Sequence, residues 1–371
     1  MYDRGTAIEC SVYVRTRRRQ CRHVSNVVRY APPVQANKVT IRDVAARAGV
    51  HPATVSRALS VATRHQVNPD TARRVIDAAQ ALGYEPDLTA RTLRTGRTAT
   101  AGVMIPDLTN PLFPPIVRGI EDYLAERGFT ALIANTDNDA ERERGVLRAL
   151  RARNVDGFIL MTAHRNDETL ATLIRSQTPV VTVNRVAPGP DVSSVNADDD
   201  AGINAVVDHL VELGHRRIAA VAGPRGLSTG RARNRAFTAR LRTHGLDPHG
   251  VIYARAFSEA EGRRCMHELL TDTDATATVA ANDMLAVGCL DAMRERGLRC
   301  PKDMSITGFN DMLFMDKLNP PLTTVRIPKT AMGTEAARIL LDRLLDRTTA
   351  TQHSTLPVNL VVRESTAAPH R

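Results

Sequence analysis

Polar residues fall repeatedly at the ends of short apolar runs, and they are of the kinds that hold a hydroxyl-rich or acidic ligand. Asp107 and Asn110 follow AGVMIP, and Asn135 and Asp137 close TALIAN. Asn184 and Arg185 end PVVTVN, Asn282 and Asp283 end ATVAAN, and Asn310 and Asp311 end SITGFN. Arg233 lies in STGRARNRAF, and Phe257 closes VIYARAF. Amides, carboxylates and a guanidinium supply paired donors and acceptors, and an aromatic ring can stack on a sugar face. A plainer reading stands beside this one, because Asp and Asn at strand ends are also good helix N-caps. Arg233 is the hardest of the set to explain structurally. No HExxH, GxSxG, P-loop or pair of catalytic carboxylates accompanies them, so an enzyme is the weakest reading.

The runs that carry these residues are short and β-branched, and amphipathic stretches such as PIVRGIEDYLAERG separate them. GFILM, RIAAVAG, LTTVRI and NLVVRES continue the alternation. Strand and helix in alternation mean parallel sheets wrapped by helices. Ligands of such sheets bind beyond the carboxyl ends of the strands, where the polar residues fall.

A second kind of chemistry sits near the N-terminus, in VTIRDVAARAGVHPATVSRALS, Val39 to Ser60. Thr40 with Asp43 is an acidic variant of the capping box. Ile41, Val44, Ala45 and Ala48 form one apolar helical face. Gly49 suits the left-handed end of that helix, and Pro52 the first position of another. Val55, Ala58 and Leu59 give the second helix a buried side, which leaves Ala53, Thr54, Ser56 and Arg57 pointing elsewhere. This is the helix-turn-helix layout, whose second helix enters the DNA major groove; two packed core helices would look similar. Asn68 and Pro69 start a third helix with Val75, Ile76, Ala79 and Leu82 on one side, and Gly83 ends it.

DVAARAGV and ATVSRAL are very similar to the DNA-binding signature of the lac repressor family, and the resemblance runs from about Val39 to Glu364. It implies an N-terminal all-α helix-turn-helix domain plus an α/β core of two periplasmic-binding-protein-like subdomains, with parallel sheets flanked by helices. The boundaries expected are a basic, disordered arm at 1–38, the helix-turn-helix domain at 39–84, a hinge helix or linker at 85–98 and the core at 99–371. Chain crossings between subdomains fall near Asn196, Val325 and Val358.

The resemblance also assigns residues. Pro52, Ala53 and Arg57 take the positions that meet base edges. Arg57 is suited to a guanine, with a phosphate contact as the alternative. Thr54 and Ser56 read as phosphate ligands. His51 stands where many relatives have a serine cap, which puts that cap in doubt and places a basic group within reach of a phosphate. Leu93 matches the leucine that two subunits wedge into a minor-groove step, with Arg91 beside it and Arg94 near a phosphate; an ordinary linker leucine is the alternative. Phe113, Asn184, Arg185, Arg233, Phe257, Asn282 and Asn310 take ligand-facing positions, and Asp107 and Asn135 join them as strand-end residues. Relatives usually carry Asp where Asn310 stands, and Leu112 replaces an aromatic that some purine-binding relatives use for stacking. The function implied is a sequence-specific transcriptional regulator, most often a repressor. It would be a homodimer on a pseudopalindromic double-stranded DNA operator, controlled by a sugar or sugar acid. A solute-binding module without DNA function is the alternative for the core alone.

Charge position agrees with a polyanionic partner. Residues 1–38 carry eight Lys and Arg against two acids, and residues 39–97 carry nine against five. The remaining residues are balanced, with 33 of each sign, so the whole excess of +10 lies in the first quarter of the chain. The basic arm reads either as a phosphate-binding tail or as an upstream reading-frame artefact. Five cysteines show no ligand spacing, so no cofactor or metal is expected and a reduced cytoplasm, at the nucleoid, is the simple location. His215 in LGHRRIA reads as structural. No apolar run approaches the ~18 residues of a membrane span, and no secretory signal is visible.

Overall fold

Thr40 fixes the start of the first helix: its backbone N–H and its hydroxyl both donate to the Asp43 carboxylate, at 2.8 and 2.7 Å. These bonds hold that carboxyl below its usual range. The computed structural model describes residues 39–60, 63–84, 96–164, 167–187, 192–345 and 350–370. The basic arm and residues 85–95 of the hinge segment, with Arg91, Leu93 and Arg94, lie outside the described residues. The chain divides into two compact units, Met1–Asp87 and Leu88–Arg371.

In the first unit, helix α1 (Ile41–Ala48) ends at Gly49, whose φ of 65° is the left-handed conformation glycine adopts without strain. Helix α2 (Pro52–Leu59) and helix α3 (Pro69–Leu82) complete a three-helix cluster. Val44, Val55 and Val75 are fully buried at its centre, with Ala45, Ala58, Ala72, Ala78 and Ala79 around them. Ile76 is only half-buried; Ala78 takes the inward position instead. Small side chains let three short helices approach closely, but so small a core supplies little stability.

The second unit holds two six-stranded sheets. Strands β1 (Thr100–Ile105), β2 (Thr130–Asn135), β3 (Gly157–Leu160), β4 (Val180–Val183) and β5 (Ser193–Ala197) lie in the first sheet, with β11 (His353–Leu356) at its edge. Its order is β11-β5-β4-β3-β1-β2, parallel throughout. Strands β6 (Ile218–Ala222), β7 (Val251–Tyr253), β8 (Ala277–Ala280), β9 (Ser305–Asn310), β10 (Thr323–Arg326) and β12 (Asn359–Val361) form the second. Its order is β12-β10-β9-β8-β6-β7, with only β12 antiparallel to its neighbour. Central strands are buried along their whole length, as parallel strands covered on both faces must be.

Helices α4 (Phe113–Ala125), α5 (Ala140–Ala152) and α6 (Glu168–Arg175) belong to the first sheet, and α7 (Asp199–Glu212), α8 (Ser228–Thr243), α9 (Glu259–Asp272) and α10 (Asp283–Glu295) to the second. Helix α11 (Lys329–Leu344) follows β10 but packs on α4 and on the first sheet. The chain therefore passes between sheets three times, after Ala197, after Arg326 and after Leu356. All three passages start or end on the adjacent pairs β5–β11 and β10–β12.

His215 is buried between the sheet and the C-terminal segment. Its ring bonds the hydroxyls of Thr276 and Ser305 and the carbonyl of Ala367, and burial lowers its pKa. Among the described residues no helix is long and apolar enough to cross a membrane.

Candidate functional site

Helix α2 presents two faces. Val55 and Ala58 are buried, whereas His51, Ala53 and Arg57 are exposed and Pro52, Thr54 and Ser56 half-exposed. The cap left in doubt by the sequence is made by the histidine itself: the backbone N–H of Ala53 donates to His51 Nδ1 at 3.2 Å. That bond occupies Nδ1 as an acceptor and leaves Nε2 as the other ring nitrogen available to a partner. The far end of the helix is held by Arg64, whose Nε donates to the Ala58 carbonyl at 2.9 Å. Thr63 bonds the Arg57 carbonyl at 3.1 Å. The Arg57 side chain forms no ion pair with the described residues and projects from a helix fixed at both ends.

The second site lies in the larger unit, where the carboxyl ends of the two sheets face a cavity of about 680 Å³. Asp107, Phe113, Asn184 and Arg185 line it from the first sheet. Arg233, Phe257, Asn282 and Asn310 line it from the second. Asn135 does not reach the wall. Its side-chain oxygen accepts from the Leu108 backbone at 3.0 Å and its amide donates to the Asp137 carboxylate, so it ties two rim loops together. Asp107 is partly occupied as well, because its carboxylate closes a turn on the backbone and hydroxyl of Thr109. Asn282 caps α10 through its side-chain oxygen, 2.9 Å from Leu285 N, which leaves its NH2 group for a ligand.

Two arginines are buried in this wall under different conditions. Arg233 is 3% exposed. Its Nε donates to Asp199 Oδ1 at 2.8 Å, one terminal nitrogen to the Ala281 carbonyl at 2.8 Å, and the other to Asn310 Oδ1 at 3.4 Å. The guanidinium carbon stands 3.7 Å above the Phe309 ring. Burial pushes the Asp199 carboxyl up, against the pull of Arg233. Among the described residues Arg185, 6% exposed, bonds only Asn138 Oδ1, at 3.3 Å from each terminal nitrogen. Burial lowers its pKa to about 10.

The sequence reading missed a polar floor on the first-sheet side: Asn138, Glu143, Thr162 and His164. Thr162 Oγ1 donates to Glu143 Oε1 at 2.7 Å, and burial raises the Glu143 carboxyl above its usual range. His164 lies 3.4 Å from Asp167 Oδ2, and that contact raises its pKa. Thr162 and His164 follow β3 just as the assigned residues follow their strands, so strand-end position was the available signal. Glu143 sits in the strongly charged AERERGVLRALRA, which reads as a solvated helix face. On the second-sheet side Phe257 covers Gly223 so closely that a Cβ there would lie 2.6 Å from the ring. Tyr253 carries Arg225 over its ring at 3.8 Å. Among the described residues no group of three or more His, Cys, Asp or Glu side chains is placed to hold a metal ion.

Residues 40–87 match the family described as bacterial regulatory proteins, lacI family, and residues 207–366 match a periplasmic binding protein-like domain. The HTH-type transcriptional repressor PurR of Haemophilus influenzae is 32% identical over 332 residues, covering 88% of this chain and 98% of the relative. The chain belongs to the lac repressor family of transcriptional regulators. A lac repressor dimer solved on its operator with the anti-inducer ONPF superposes with a TM-score of 0.77 at 27% identity, over 90% of this chain and 100% of that one. The regulator CelR in complex with cellobiose gives a TM-score of 0.69 at 32% identity, over 88% and 99%. As in other lac repressor family members, a helix-turn-helix unit precedes a two-sheet α/β core.

Proposed function

We propose that the protein represses transcription as a homodimer on a pseudopalindromic operator, and that a sugar or sugar acid in the cleft controls its affinity for DNA. The observation that carries this reading is that Arg185 and Phe113 from one sheet and Arg233, Phe257 and Asn310 from the other meet around one cavity. A ligand that bonds both halves binds their relative arrangement, and only such differential binding shifts a conformational equilibrium. Helix α2 supplies Arg57, Pro52 and Ala53 for base edges and Thr54, Ser56 and the His51 ring for phosphates. In the hinge segment Leu93, between Arg91 and Arg94, serves as the minor-groove wedge. Leu313 and Phe314, 66% and 63% exposed side by side after β9, support self-association. Cellobiose bound to CelR supports a carbohydrate effector, and the work is done on chromosomal DNA at the nucleoid.

The test is operator affinity of the full chain, by fluorescence anisotropy, with and without a panel of sugars and sugar acids. A cleft ligand is expected to change it about 5–150-fold, the usual span of allosteric coupling. A ligand that occupies the cleft and leaves operator affinity unchanged removes the switch.

A further inference from the structure

Arg185 and Arg233 pose the same physical problem and are solved differently. A guanidinium taken out of water loses its hydration, and a protein ordinarily compensates with a carboxylate. Asp199 does so for Arg233 at 2.8 Å. No carboxylate of the described residues lies within 4.0 Å of Arg185. Its two terminal nitrogens share one neutral amide oxygen, Asn138 Oδ1, at the long distance of 3.3 Å each. Glu143 acts on it only from further away, and that carboxylate is already bonded by Thr162. Arg225 and Arg255 also line the cavity; both are exposed and neither forms an ion pair with the described residues. Among the described residues the lining thus carries four arginines against two acids, Asp107 and Glu143.

From this arrangement we infer that the effector is anionic and that its carboxylate or phosphate docks on Arg185. This rests on the reading of the cleft as an effector site and narrows it. A planar guanidinium offers two parallel N–H donors that match two oxygens of either group. The Asn138 oxygen holds that fork in place until the anion replaces it. Phe113 and Phe257 then face the apolar side of the ring, while Arg233, fixed by Asp199, and the Asn282 amide bond hydroxyls. The charge of the ligand is read on the first sheet and its hydroxyls on the second, so an acid spans the cleft where its neutral counterpart engages one side.

The experiment is calorimetric titration of the full chain with glucuronate, gluconate and glucose 6-phosphate, each against glucose and cellobiose. At least one acid is expected to bind tenfold or more tightly than the neutral sugars; glucuronate against glucose 6-phosphate separates carboxylate from phosphate. Arg185→Gln should abolish that preference, and Arg185→Lys should restore part of it. Thermal unfolding of the ligand-free protein supplies a second readout, because removing an unmatched buried cation should raise the Tm of Arg185→Gln. Neutral sugars binding as tightly as the acids would overturn the inference and leave the carbohydrate-controlled regulator standing. Failure of every acid and neutral sugar to bind overturns both. An unchanged acid preference in Arg185→Gln assigns the charge reading elsewhere and overturns the role of Arg185.

Discussion

Asp199 and Arg233 face each other at 2.8 Å in the cleft wall, with side chains only 16% and 4% exposed. Asp199 is the first residue of α7, immediately after the chain leaves the first sheet, and Arg233 lies in α8. Breaking a buried pair from one side leaves an uncompensated charge. Asp199→Ala should therefore destabilise the core by about 3 kcal/mol or more, read from urea unfolding midpoints. The double variant Asp199→Leu/Arg233→Met should lose much less than the sum of the singles, since no charge is stranded. Additive losses would show that the two residues act independently.

A pH dependence follows from Asp283, which is fully buried at the start of α10. Burial raises its carboxyl from an ordinary 3.8 to about 7, against hydrogen bonds from the Thr324 hydroxyl and from Met312 N at 2.7 Å. Here the folded state holds a proton that the unfolded chain has already released. Stability therefore falls as pH rises from about 4 to about 7 and levels off above that. Asp283→Asn should flatten the curve of unfolding free energy against pH over that window. A wild-type slope that survives in the variant would assign the titration to another group.

For DNA recognition, Arg57→Ala should cost about 1–3 kcal/mol on the preferred operator and relax the preference at a single base pair in each half-site. Thr54→Ala and Ser56→Ala should instead weaken all sequences alike and reduce the salt dependence of binding. Anisotropy titrations against an operator library at two salt concentrations separate the two patterns. Uniform losses for Arg57→Ala would make it a phosphate contact.

The exposed Leu313–Phe314 pair bears on assembly. Phe314→Asp should shift the protein from dimer to monomer in analytical ultracentrifugation and lower operator affinity by more than tenfold, while leaving far-UV circular dichroism unchanged. A dimer that persists at the same concentration places the contact surface elsewhere.

Local rules made much of this fold readable. The Thr40–Asp43 cap, the Gly49 and Gly83 stops and the proline-led starts of α2 and α3 each depend on residues within four positions. Buried parallel strands were visible because their apolar runs are continuous. Two strands were not: β5 (SSVNA) and β11 (HSTL) are polar, and their places follow from the chain crossings rather than from their own pattern. In the cleft, position after a strand picked out Asn184, Arg185, Asn282 and Asn310, all of which the structure places on the wall. It could not exclude Asn135, whose side chain turns to the Leu108 backbone. Nor could it show that Glu143, on a charged helix, turns inward to Thr162, because helical spacing alone does not say which neighbour covers a face.

The three passages of chain between the sheets, gathered on the β5–β11 and β10–β12 pairs, limit what any ligand can say. Three tethers between the two sheets restrict how far one half can move against the other. A ligand that bonds residues of both sheets would act through whatever movement those three tethers leave open.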